Sequence, residues 1–361
     1  MDKILLVSEE PVSSPQTPFP RGGALFIYYL ARELAKEHKI AIAAATGSDD
    51  SLTDNGVEIH PNLIYTARYN LLLRIPLLLY NMMRIYFTAR AVKPDVFFAK
   101  NTGVFLPTYL AGKMLNKKVA CGVGSMPYAG FNRKYAEYML GLNWDIVYAS
   151  GGNLKGFCEQ HTKARVLDIG NAVDLELFQP KNWIESRQKL HLPKEPSILL
   201  YAGSFEPVKR LPQLIQWFQQ MNLGDTLLLL VGDGPDKKKI MAKAGDNVLF
   251  KDSIEYENMP KLYNAADVFV LNSEIEGIPR TVIESLACRT PVLVHEPAGA
   301  YYMNYGMGGL TYYSAREEFM EKLPQILKQK KDFDANFLSN EFSWSKVAEK
   351  FTQPLISSVS K

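Results

Sequence analysis

Ser197-Ile198-Leu199-Leu200-Tyr201-Ala202-Gly203-Ser204-Phe205-Glu206-Pro207-Val208-Lys209-Arg210 is an apolar run that breaks at a glycine and ends on two cations. An apolar run without alternation reads as a strand covered on both faces, which is the condition of a parallel sheet between helices. The chain opens in the same way, with Lys3-Ile4-Leu5-Leu6 running toward a glycine-bearing loop. Working outward, strand patterns at 3–8, 39–44, 95–99, 118–123 and 145–149 alternate with helical patterns. The alternation restarts at 197–202, 226–231, 247–250, 267–271 and 291–294. Two doubly wound α/β domains follow from that repetition.

The chain of 361 residues also exceeds what one hydrophobic core usually organises. The expected division is 1–180 and 181–361, through a polar stretch containing Pro180, Lys181-Asn182 and Pro193-Lys194. A terminal helix near 344–359 is left open between the two domains. With 47% hydrophobic and 22% charged residues, the composition is that of a globular protein. Lys plus Arg number 41 against 38 Asp plus Glu, and they are scattered, which speaks against a nucleic-acid partner.

The three cysteines, Cys121, Cys158 and Cys288, lack C-x-x-C spacing, so neither zinc site nor disulfide framework is expected. Residues 4–7 are too short an apolar run for a signal peptide. The most apolar segment, 71–87, is broken by Arg74, Pro76 and Arg84, short of a membrane span. A cytoplasmic location is the expectation. Residues 76–92 read as a helix with a narrow polar stripe of Asn81, Arg84 and Thr88, largely buried against the first sheet. The alternative is that Arg68, Arg74, Arg84 and Arg90, with exposed leucines, form a surface for a membrane or a lipid acceptor.

In open parallel sheets ligands gather where strand ends meet helix starts, because backbone N–H groups and the positive helix end point there. Four loops qualify. In the first, Gly22-Gly23 precedes a helix and would let a phosphate approach the backbone. In the second, residues 203–210, Lys209 and Arg210 stand at a helix start, where cations are unfavourable unless an anion offsets them. The third, Val231-Gly232-Asp233-Gly234-Pro235, is mainly a turn, although Gly232 could leave room for a ligand behind it.

The fourth is Glu274-Ile275-Glu276-Gly277-Ile278-Pro279-Arg280-Thr281-Val282-Ile283-Glu284, followed by Ser285-Leu286-Ala287-Cys288-Arg289-Thr290-Pro291-Val292. Gly277 ends a loop and Pro279 opens a helix, so the amides around Arg280 and Thr281 could hold a diphosphate. Glu276 lies just ahead of that helix and Glu284 inside it, separated by seven residues, so that one carboxylate could meet a sugar and the other ribose hydroxyls.

These residues resemble family 4 of the retaining glycosyltransferases, the group 1 enzymes, whose mark is Glu-x7-Glu, here Glu276 and Glu284. The resemblance extends to Gly22-Gly23 with Leu30-Ala31-Arg32-Glu33-Leu34, and to Ile169-Gly170-Asn171-Ala172-Val173-Asp174. It includes residues 203–210, residues 231–235, and Leu262-Tyr263-Asn264-Ala265-Ala266-Asp267. It implies a GT-B fold, two Rossmann-like domains with parallel sheets facing a central cleft, the donor in the C-terminal domain and the acceptor in the N-terminal one. It also implies transfer of a hexose from a nucleotide diphosphate sugar to a glycan, lipid-linked or other hydroxyl acceptor, with retention of configuration, in polysaccharide or glycoconjugate synthesis. No metal and no cofactor are expected.

Glu276 would sit at the donor sugar as the catalytic residue and Glu284 on the ribose. Gly22, Gly23, Gly203, Ser204, Lys209, Arg210, Gly277, Ile278, Pro279, Arg280 and Thr281 would surround the donor. The chain departs from the family in three places. Ser204 stands where the family has a phosphate-binding arginine, so Lys209 and Arg210 would carry that charge. Ile278-Pro279 replaces Phe-Gly, and Pro279 brings no N–H. The family's mid-domain histidine has no counterpart between His60 and His161, which leaves its place to Ser125 or backbone within 122–128, with Tyr128 as a further sugar or acceptor contact. A catalytically silent scaffold that binds nucleotide sugar is the alternative function. Asp332-Phe333-Asp334 spells D-x-D but reads as a solvated turn, and His295, lacking a partner, reads as structural.

Overall fold

A computed structural model describes the chain apart from residues 1, 18–21, 67–70, 125–129, 330–331 and 357–361. It forms two compact units, one of residues up to Gly170 together with those from Trp344, the other of Asn171–Ser343. The first unit contains β1 (Lys3–Ser8), α1 (Gly22–Leu34), β2 (Lys39–Ala45), β3 (Glu58–Leu63), α2 (Leu71–Val92) and β4 (Val96–Lys100). It continues with α3 (Phe105–Met114), β5 (Lys118–Val123), α4 (Gly130–Leu140), β6 (Ile146–Ala149), α5 (Gly152–His161) and β7 (Arg165–Asp168). All its strands are parallel, in the order β3-β2-β1-β4-β5-β6-β7.

The second unit contains α6 (Trp183–Lys189), β8 (Ser197–Ala202), α7 (Leu211–Gln219), β9 (Thr226–Val231), α8 (Lys237–Met241), β10 (Val248–Lys251) and α9 (Met259–Ala265). After these come β11 (Val268–Leu271), α10 (Arg280–Ala287), β12 (Val292–His295), α11 (Glu296–Gly299), β13 (Leu310–Tyr313), α12 (Arg316–Leu327) and α13 (Phe337–Glu341). Its parallel sheet runs β10-β9-β8-β11-β12-β13. The two α/β halves are Rossmann-like, as expected. Central strands are covered on both faces: residues 4–7 of β1 and all of β11 are buried, which accounts for their unbroken apolar sequence.

Three strands, β3, β7 and β13, were not expected. Each lies at a sheet edge, where partial exposure removes the need for an apolar run. In β3 the edge also tolerates Pro61, which has no N–H for a ladder.

The last helix, α14 (Trp344–Ile356), belongs to the first unit. Trp344 stacks on Tyr29 at 4.9 Å and meets Phe26 edge-on at 5.6 Å. Phe351 stacks on Tyr148 at 5.1 Å, and the Tyr148 hydroxyl donates to the Phe351 carbonyl. These aromatic contacts fasten a segment remote in sequence to α1 and to the sheet.

Helix α2 departs from its expected orientation. Asn81 and Thr88 of the polar stripe face inward: Asn81 is fully buried, donating to the Ile64 carbonyl and accepting from its N–H at 2.9 Å each. Thr88 accepts from the Asn62 side-chain amide at 3.2 Å. The apolar residues Leu73, Ile75, Leu79, Met83 and Phe87 are exposed instead. A buried amide satisfied on both sides at backbone β3 leaves behind can be held inside without cost to hydrogen bonding, so hydrophobicity alone did not set the helix's rotation.

Candidate functional site

In the second unit the chain passes from β8 to β9 and β10 on one side, then returns to β11 on the other side of β8. The loops after β8 and β11 therefore part at the carboxyl edge of neighbouring strands, the place where this topology leaves a ligand crevice. Backbone and side chains sew these loops together. Glu274 N–H donates to the Val208 carbonyl at 2.8 Å. Asn272, fully buried at the end of β11, accepts through Oδ1 from Arg210 Nη2 at 3.3 Å and from the Tyr313 hydroxyl at 2.6 Å, while its amide donates to the Arg210 carbonyl at 3.1 Å.

The guanidinium of Arg210 is thereby turned onto Asn272, including the Asn272 carbonyl at 2.9 Å. Arg210 has φ +50°, a left-handed conformation, and caps the start of α7. Its neighbour Lys209 takes the other direction: Lys209 Nζ lies 2.5 Å from Glu276 Oε1, with both side chains about five-sixths buried, at 17% and 16% exposure. An ammonium has three donors, so the pair with Glu276 leaves Lys209 capacity for a phosphate oxygen. Of the two cations expected at this loop, the structure commits Arg210 to holding the loops and aims Lys209 at the carboxylate.

The Asn272 clamp predicts a measurable cost. Asn272→Ala would leave the buried Tyr313 hydroxyl and the Arg210 carbonyl short of a partner, lowering stability by about 2–3 kcal/mol. Urea unfolding followed by tryptophan fluorescence checks this, since Trp217 lies 6.3 Å from Tyr313.

Gly203 and Ser204 follow β8. The Tyr201 hydroxyl donates to the Ser204 carbonyl at 2.8 Å, and Ser204 Oγ donates to Glu206 at 2.9 Å. Burial, with the Glu276 and Glu206 carboxylates, pushes the Tyr201 hydroxyl well above the usual tyrosine range, so it stays a donor. The Gly232 turn supports this loop: Gly203 N–H bonds to the Val231 carbonyl at 3.0 Å and Phe205 N–H to the Asp233 carbonyl at 2.9 Å. A Cβ at Gly232 would collide with the Gly203 carbonyl. The space behind Gly232 is filled by backbone, which corrects the expectation of room for a ligand there.

Helix α10 begins after Pro279. Ile278 is buried in the core, with its carbonyl 3.5 Å from the Asn171 amide, and the Pro279 carbonyl accepts from Tyr302 at 2.9 Å and from Val282 N–H at 3.1 Å. The amide next ahead, at Thr281, is the one that an anion at this helix start would meet. Arg280 lies 5.7 Å over the Tyr256 ring.

Glu284 is 2% exposed, and both its oxygens accept tyrosine hydroxyls, from Tyr256 at 2.8 Å and Tyr263 at 2.9 Å. Burial and the Glu284 carboxylate push the Tyr263 hydroxyl well above its ordinary range, so it remains the donor. Tyr263 stands inside a motif visible in the sequence, but its pairing with Glu284 across 21 residues does not, and nothing in the sequence marks Tyr256. Behind the site His295 donates from Nδ1 to the Ser273 carbonyl at 2.9 Å. Burial, then the Arg210 cation, holds this imidazole below its usual pKa, a neutral, structural histidine.

The remaining candidates lie elsewhere. Gly22 and Gly23 start α1 in the first unit, where Glu10 and Asn101 crowd the Cβ position of Gly23. Ser125 and Tyr128 fall outside the described residues. The first sheet has its own switch point, between β1 and β4, and it gathers buried Glu9, Glu10 and Lys100, which no motif in the sequence marks. The Lys100 ammonium sits 4.1 Å from the Phe26 ring centre and crowds Gly124. Among the described residues no group of three or more His, Cys, Asp or Glu could hold a metal, and no helix is long and apolar enough to cross a membrane.

Residues 183–340 match the family model of group 1 glycosyl transferases. The matched segment contains every candidate donor residue of the second unit. Over 228 residues the chain is 23% identical to the lipopolysaccharide 1,2-N-acetylglucosaminetransferase of Salmonella typhimurium, covering 56% of this chain and 59% of that protein. Over 136 residues it is 31% identical to the teichuronic acid biosynthesis glycosyltransferase TuaC of Bacillus subtilis, covering 37% of this chain and 33% of that one. The chain thus spans less than two thirds of the length of either relative.

The fold is GT-B. Sucrose-phosphate synthase from Thermosynechococcus elongatus superposes with a TM-score of 0.81 at 17% identity, covering 100% of both chains. HepE of Anabaena, solved with UDP-glucose, superposes with a TM-score of 0.75 at 17% identity, covering 99% of this chain and 100% of that one.

Proposed function

We propose that this protein is a retaining, metal-independent glycosyltransferase that takes a hexose from a nucleotide diphosphate sugar. The observation that carries the reading is the Lys209–Glu276 pair at the switch point of the second sheet, beside the start of α10. Lys209 and the helix amides place positive charge where a departing diphosphate develops negative charge, so leaving-group stabilisation is the main catalytic task. Glu276 stands at the sugar and Glu284 at the ribose. The match of 183–340 to a glycosyl transferase family supports the same chemistry, and the UDP-glucose complex of HepE fits a donor of this class.

The acceptor is a glycan or a lipid-linked hydroxyl, in polysaccharide or glycoconjugate synthesis, met in the cytoplasm at the inner face of a membrane where the acceptor carries lipid. Glu9, Glu10 and Lys100, buried at the first sheet's switch point, are the groups of the first unit suited to acceptor hydroxyls, alongside Ser125 and Tyr128.

The test begins with thermal shift against UDP, GDP, ADP and their sugars, since a ligand at 100 times its dissociation constant stabilises by about 2.7 kcal/mol. Turnover with the best donor is then measured with and without EDTA. Unchanged turnover in EDTA is expected, because Lys209 and the helix amides stand where a metal would otherwise act. Loss restored by Mn²⁺ or Mg²⁺ overturns the metal-free mechanism. Nucleotide binding without turnover of any nucleotide sugar establishes the silent scaffold instead.

A further inference from the structure

Helix α2 carries its apolar side outward. At about 100° per residue, Ile75, Leu79, Met83, Phe87 and Tyr80 fall on one half of the helix. All are exposed, between 40% for Tyr80 and 61% for Ile75 and Phe87. Arg90 projects among them near the C-terminal end, and Arg84 lies at the rim of the same half, both exposed. The opposite half, with Asn81, Ile85, Thr88 and Ala89, is buried. The twenty-two residues of α2 include three arginines and no acid. Helix α3, packed beside it, contributes exposed Met114 and also contains no acid, while its Lys113 pairs with Asp145 at 3.5 Å.

A row of large apolar side chains held in water is unfavourable, at about 25 cal/mol per Å² of apolar surface, and arginines on a helix that has no acid select the surface that would cover it. We infer that the outward face of α2 is a docking surface for a lipid bilayer with anionic headgroups. Ile75, Leu79, Met83 and Phe87 enter the interface, while Arg84 and Arg90 meet lipid phosphates. The helix lies along the membrane plane: Ile75 and Phe87 stand about 18 Å apart along an axis that rises 1.5 Å per residue, so the row wets one face without spanning.

The inference does not depend on sugar transfer, and its experiment reads binding alone. The full chain is mixed with sucrose-loaded vesicles of phosphatidylcholine, with or without phosphatidylglycerol, and sedimented. Wild-type protein is expected to pellet with the anionic vesicles at least tenfold better than with pure phosphatidylcholine, and added salt to reduce the difference. Leu79→Glu/Phe87→Glu should lower anionic-vesicle binding at least tenfold while leaving the unfolding temperature unchanged, because both side chains are exposed. Arg84→Gln/Arg90→Gln should lower it severalfold and remove the preference for anionic lipid. Failure of the wild type to pellet with either vesicle overturns the inference, as does binding that these variants do not alter. So does a wild-type dimer, seen by sedimentation equilibrium, that Leu79→Glu/Phe87→Glu converts to monomer, since the face would then cover a second copy.

Discussion

Lys209→Ala protein is expected to bind its nucleotide diphosphate at least about thirtyfold more weakly than wild type. Removing a partly desolvated cation from a diphosphate costs on the order of 2–4 kcal/mol, and each 1.4 kcal/mol is a factor of ten. The structure gives two reasons to expect the upper part of that range. Glu276 loses the ammonium 2.5 Å away and remains a largely buried carboxylate beside the incoming anion. Arg210, next in sequence, is tied to Asn272 by side chain and backbone and points elsewhere. Titration calorimetry with UDP, GDP and ADP measures the effect on whichever nucleotide the wild type binds. Undiminished affinity would move the phosphate site away from residues 203–210.

The two carboxylates should fail in different ways. A glutamine at 276 still offers an oxygen to Lys209, so the cation stays in place and donor KM changes little. What it loses, on the proposed reading, is negative charge at the reacting sugar, and kcat is expected to fall on the order of 100-fold. A glutamine at 284 keeps the size of a buried side chain and can satisfy both tyrosines, because a tyrosine hydroxyl donates or accepts, and Tyr256 and Tyr263 can adjust to its amide. On the proposed reading it loses a charge-assisted contact to ribose, made equally in ground and transition states. Donor KM should then rise about tenfold with kcat nearly unchanged, the signature of lost uniform binding. Steady-state kinetics on Glu276→Gln and Glu284→Gln decide between these patterns. The reverse assignment of kcat and KM effects would exchange the two roles, and no effect from either substitution would remove Glu276 from catalysis.

The alternation of buried strands with helices was legible in the chain because residues 4–7 of β1, residues 198–202 of β8 and all of β11 are buried and apolar. The order of the loops, with Lys209 after β8 and Glu276 after β11, was legible for the same reason: parallel strands deliver successive loops to one sheet edge. Tertiary structure decided the rest, where sequence neighbours diverge or distant residues meet. Lys209 and Arg210 look alike in the sequence, but left-handed backbone at Arg210 and the Asn272 amide send their charges to different partners. Tyr263 on α9, and Tyr256 in the turn just ahead of it, reach Glu284 only because this segment packs against α10. On α2 the buried half carries Asn81, bonded both ways to the Ile64 backbone, beside Ile85 and Ala89, so hydrophobicity alone did not set the rotation. Periodicity records which residues share a face; which face turns inward depends on the partner that buried polar groups find there.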